Sequence, residues 1–68
     1  MIADGERLED RVRGEFLEMP GLKLTARQAS RLWGIDPLTS EWMLDRLVSV
    51  GFLTRRRGGS YLLANNEA

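Results

Sequence analysis

The sequence predicts a mainly α-helical domain that closes on a small β-hairpin, an α+β class of three helices followed by two strands. Three observations predict it. Apolar residues recur at helical spacing in three windows, two of the helix starts carry capping residues, and Gly58-Gly59 separates two short apolar runs near the C-terminus.

The first helix is expected over about 5–18, because Leu8, Val12 and Phe16 recur every fourth position with Leu17 widening the stripe. Acids crowd its first turn, where they favour the positive end of the helix dipole, and Pro20-Gly21 ends it. Gly14 inside the helix reads as a tolerated cost rather than a close contact. Leu22-Lys23-Leu24 is long enough only for a connector or a single bridge strand.

Thr25-Ala26-Arg27-Gln28 has the pattern of a capping box, so the second helix starts at Ala26 and runs to about Trp33. Ala29, Leu32 and Trp33 fall on one side, Arg27 and Arg31 form a basic pair on another, and Gly34 stands where a left-handed terminator is expected. Asp36-Pro37 then supplies an N-cap and a first helical residue for a third helix over about 37–50. Its apolar positions are Leu44, Leu47 and Val48, joined by Met43 and Val50, and Gly51 terminates it. Two helices across a turn of about three residues make a helix-turn-helix candidate.

Beyond Gly51 two strands are expected over about 52–57 and 60–64, with Gly58-Gly59 supplying positive φ at the tip. Alternation along the first strand would place Arg55 and Arg57 on one face and Arg56 on the other. The expected core is Leu8, Val12, Phe16, Leu32, Trp33, Ile35, Leu44, Leu47, Phe52 and Leu63, with Tyr61 also assigned to it. The 68 residues then form one domain with frayed tails at about 1–4 and 65–68.

Composition narrows the chemistry. With no Cys and no His the chain lacks thiolate and imidazole chemistry and the usual zinc and iron ligands, so neither an enzyme nor a metal or cofactor site is expected. A domain this small buries only about 60% of its unfolded surface, which leaves no room for an interior small-molecule pocket. No apolar run approaches the ~20 residues of a membrane span, and the acidic N-terminus is unlike a secretion signal, so a soluble, cytoplasmic protein is expected. The formal net charge of zero hides a gradient. Residues 1–20 hold Asp4, Glu6, Glu9, Asp10, Glu15 and Glu18 against Arg7, Arg11 and Arg13, whereas residues 21–68 hold Lys23 and six arginines against Asp36, Glu41, Asp45 and Glu67. Such asymmetry suits a face for an anionic partner.

Helix, helix-turn-helix and basic-tipped hairpin, in that order, resemble the winged helix-turn-helix family over residues 5–64. The match rests on small residues at Ala29 and Ser30, Gly34 in the turn, Ile35 directly after it, Met43 farther on, and the stretch from Leu44 to Leu53, which resembles a recognition helix running into a wing strand. Ser40 departs from the pattern by standing at an apolar position, where its hydroxyl is expected to bond back to the Asp36 carbonyl.

The resemblance implies binding of double-stranded DNA, with the third helix in the major groove and the wing on flanking phosphates. A role in transcriptional regulation or a mobile-element function is expected, as a dimer or beside a partner, because three or four basic contacts give a single module only modest, salt-dependent affinity. The candidate DNA-binding residues are Arg27, Arg31, Thr39, Trp42, Arg46, Arg55, Arg56 and Arg57. Glu41 and Asp45 lie beside them on the third helix and repel phosphate; Asp45 is expected to pair with Ser49 or Arg46. Trp42 lies outside the inward stripe and has three readings: local packing, a DNA contact, or an anchor for a second copy or another protein. The last defines the alternative function, a winged-helix interaction module. For the wing arginines the alternative to phosphate binding is protection of an exposed strand edge.

Overall fold

The computed structural model describes the backbone of residues 4–64 and the side chains of residues 8–64; both expected frayed tails, apart from Asp4, lie outside these. Six elements follow one another: α1 (Asp4–Glu18), β1 (Leu24–Thr25), α2 (Ala26–Trp33), α3 (Pro37–Ser49), β2 (Leu53–Arg55) and β3 (Ser60–Leu63). Helix α1 starts at Asp4, one residue inside the expected tail. The strands form an antiparallel sheet of order β1-β3-β2, with Leu24 opposite Tyr61 and Leu53 opposite Leu63. Leu22-Lys23-Leu24 therefore feeds a third strand that widens the hairpin into a sheet. No helix among the described residues is long and apolar enough to cross a membrane.

Local chemistry accounts for the helix limits. Thr25 Oγ1 accepts from the Gln28 amide at 3.1 Å while Gln28 Oε1 accepts from the Thr25 amide at 2.9 Å, so both halves of the capping box form. Helix α2 ends at Gly34, whose φ of 67° is a left-handed conformation that glycine adopts without penalty. The amides of Gly34 and Ile35 both bond to the Ser30 carbonyl, and the Ser30 hydroxyl donates to the Ile35 carbonyl at 2.5 Å. One small residue thus ties off the helix and sets the turn. Asp36 caps α3 by accepting from the Thr39 amide at 3.1 Å and the Thr39 hydroxyl at 2.6 Å. The same bonds hold the Asp36 carboxyl below its ordinary value. At the other end Gly51 donates to the Val48 carbonyl and Phe52 to that of Leu47, the bond pattern of a Schellman termination.

The core lies between the helices and one face of the sheet. Val12 and Phe16 of α1, Ala29 and Trp33 of α2, Met43, Leu44 and Leu47 of α3, Leu53 of β2 and Tyr61 of β3 are buried. Leu8, Ile35, Phe52 and Leu63, expected inside, are half-buried at its margin. Leu32 is not in the core: it is 55% exposed. On so short a helix Ala29 and Trp33, four positions apart, fill the inward face, and Leu32 stands about 100° round the helix from Trp33. Val50 is likewise exposed, because it caps α3 instead of continuing its apolar stripe. Gly14 has nothing within 4 Å of where a Cβ would stand, in keeping with a tolerated glycine.

Ser40 is fully buried, and its hydroxyl does not return to Asp36. The Asp36 carbonyl is taken by the Ser40 amide, and the hydroxyl instead donates across the motif to the Ala26 carbonyl at 3.0 Å. The departure from an apolar residue thus becomes a cross-link between α2 and α3. Strand β2 ends at Arg55, so alternation does not extend to Arg56 and Arg57, which enter the turn. That turn is closed by the Gly59 amide on the Arg56 carbonyl at 3.0 Å, with positive φ at Gly58, its third residue.

Candidate nucleic-acid interface

Two surfaces carry six of the eight candidate residues, and a buried phenol joins them. The first is the outward side of α3. Leu38, Thr39, Glu41, Trp42, Asp45, Arg46 and Ser49 are all exposed there, Trp42 at 60% and Leu38 at 77%. Each polar group except Glu41 and Ser49 is engaged. Thr39 is spent on the cap of its own helix. The Arg46 guanidinium lies 5.6 Å from the centroid of the Trp42 ring and puts Nε 3.5 Å from Glu9 Oε1 of α1. Trp42 is therefore a platform for Arg46 as well as an exposed apolar surface.

Asp45 pairs with neither Ser49 nor Arg46. Its Oδ1 accepts from the Tyr61 hydroxyl at 2.6 Å, and the Arg55 guanidinium stacks 5.6 Å from the centroid of the same Tyr61 ring. This relay ties the third helix to the hairpin. It also occupies one of the two carboxylates that would face a phosphate backbone.

Burial first, then the bond to Asp45, pushes the Tyr61 phenol up to about 12 from an ordinary 10.0. A group whose folded value is raised stabilises fully below its unfolded value and loses that contribution as pH rises through the folded one. Tyr61→Phe is accordingly expected to cost about 1 kcal/mol at neutral pH. Between pH 10 and 12 the wild type should then lose this advantage over the variant. Denaturation midpoints measured across this range should converge; parallel pH profiles would show that the phenol is not held against Asp45.

The second surface is the hairpin. Arg55, Arg56 and Arg57 come together with Lys23, Ser60 and Leu62 around an open concavity of ≈ 620 Å³. Ser60 and Leu62 alternate with the buried Tyr61, so they line the side of β3 that faces away from the core. Among the described residues the lining contains no carboxylate. Four cations around one concavity make a strongly attractive site for an extended polyanion. Arg27 and Arg31 are exposed on α2 and do not line it.

Lys23 is the functional candidate that the sequence reading missed. The apolar–basic–apolar order of Leu22-Lys23-Leu24 is its signal, since a strand added to the hairpin turns the two leucines toward the core and the lysine away. Glu9 carried no comparable signal, because its approach to Arg46 depends on how α1 packs across α3. No protein-family model, curated protein or solved structure matches the chain.

Proposed function

We propose that this domain is a winged helix-turn-helix module that binds double-stranded DNA in transcriptional regulation, acting as a dimer. The observation that carries the proposal is the cationic concavity of Lys23, Arg55, Arg56 and Arg57 at the hairpin, which would be the wing. Beside it, α3 follows α2 across a short turn centred on a left-handed Gly34. Its 13 residues give a rod of about 20 Å that fits the roughly 12 Å wide major groove.

The division of labour follows from the charges. Phosphates meet the wing, where cations are concentrated, while α3 offers Arg46 and Trp42 beside the uncompensated Glu41. Binding is therefore dominated by the backbone, with modest discrimination among sequences. Four phosphate contacts give a slope of log affinity against log salt near about −3.6, which is a loss of about a hundred-fold between roughly 50 and 200 mM salt. Titrating a labelled mixed-sequence duplex at the two salt concentrations tests this. Tight binding at low salt that collapses at the higher one is expected; no binding at low salt would contradict the proposal.

A second reading rests on its own observation, the exposure of Trp42 and Leu38 on one side of α3. Under it the helix docks on a second copy or another protein, because large aromatics anchor interfaces. Trp42→Ala should keep the fold, as the ring lies outside the core, and should turn a concentration-dependent dimer into a monomer in sedimentation. A monomeric wild type whose DNA affinity ignores the substitution would leave Trp42 as the platform for Arg46 alone.

A further inference from the structure

Arg46 of α3 makes a salt bridge whose partner, Glu9, lies on the acidic first helix. Glu9 is held from two sides. Its Oε2 is 3.4 Å from Arg13 Nη2, one turn along the same helix, and its Oε1 is 3.5 Å from Arg46 Nε. Arg13 is itself anchored, with its guanidinium 5.2 Å from the centroid of the Phe52 ring. The Glu9 side chain is only 16% exposed, whereas that of Arg46 is 55% exposed. The carboxylate is thus the fixed member of the pair and the α3 arginine the movable one.

We propose that Glu9 is a built-in competitor for Arg46: a carboxylate that occupies the guanidinium in the free protein and must be displaced by a phosphate or a guanine edge when DNA binds. The inference rests on the DNA reading above and adds to it a regulatory contact between α1 and α3. Its physical basis is an exchange of one anion for another. A fixed carboxylate takes the place of the incoming ligand, so each binding event at Arg46 breaks one ion pair to form another. Since a partly exposed pair is weak, the contact lowers affinity without preventing binding. The cost is common to every ligand that takes Arg46, so affinity falls alike for all of them, and a bidentate guanine edge repays it better than a single phosphate oxygen.

The test is a double-mutant cycle read by duplex titration at low salt. Glu9→Gln keeps the shape of the side chain and removes its charge, and should tighten binding by about two- to five-fold. Glu9→Ala should do the same. Asp10→Asn removes an equal charge from an exposed neighbour on α1 that does not touch Arg46, so its smaller gain measures the long-range contribution. In an Arg46→Ala background the extra gain from Glu9→Gln should vanish. Far-UV circular dichroism confirms that each variant is folded. A gain equal to that of Asp10→Asn, or one that persists without Arg46, would overturn the competitor role while leaving DNA binding intact. Failure of the wild type and every variant to bind duplex would instead remove the DNA reading, and this inference with it.

Discussion

Leu47→Ala is expected to cost about 2–5 kcal/mol, read as a shift of the denaturation midpoint. Leu47 has no exposed surface, and it lies in the cluster that joins α3 to α1, α2 and the sheet. Truncation loses the transfer energy of the side chain and leaves a cavity that a packed core refills only in part. At about 0.05–0.15 kcal/mol per residue, the whole chain has a stability of only about 3–10 kcal/mol, so one methyl-rich side chain accounts for a large share. A folded variant with an unshifted midpoint would mean that α3 presents the opposite side to the core, and with it that Trp42 and Arg46 point inward.

Replacing Arg55, Arg56 and Arg57 by Ala should weaken binding to every duplex alike and reduce the magnitude of the salt slope by up to about three units. Adding Lys23→Ala should remove about one more. The effect is independent of sequence because phosphates are common to all DNA. Stability should fall by no more than about 1 kcal/mol, from the stack of Arg55 on Tyr61, since all four side chains are exposed. A slope unchanged by the substitutions would leave the arginines with the edge-protecting role alone. The order β1-β3-β2 does make β2 an outer strand in need of such protection.

Features determined within four residues of chain were legible in the sequence. The capping box at Thr25, the Asp36 cap, the Gly34 stop and the break at Pro20-Gly21 each follow from side chains next to the backbone groups they satisfy. Helix limits accordingly fall within a residue of expectation. Inward stripes were legible where a helix is long enough to average over turns, as at Val12 and Phe16. Leu32 was misread because two turns of α2 leave the choice between its two sides to what lies opposite. Leu53 was missed in favour of Phe52, since a three-residue strand gives too little alternation to fix its phase.

Contacts between distant segments were the least legible. Ser40 to Ala26, Tyr61 to Asp45 and Arg46 to Glu9 all join separate elements, and each partner was chosen by packing rather than by spacing. The candidate site divides the same way. The run of hairpin arginines stands in plain view in the sequence, whereas Lys23 joins it only through the pairing of β1 with β3. On α3 the sequence marks which residues are exposed but not that Asp45 is engaged by Tyr61 and Arg46 by Glu9.

Amide chemical-shift mapping on the labelled protein, with and without a short duplex, tests the central claim most directly. Signals of Lys23, Arg55, Arg56, Arg57 and Ser60 should move at the first additions of DNA, followed by those of Thr39, Trp42 and Arg46, while exposed α1 positions such as Arg11 and Glu18 stay in place. Shifts confined to α1, or none at the hairpin under conditions where the duplex binds, would contradict a DNA interface built on the wing and the third helix.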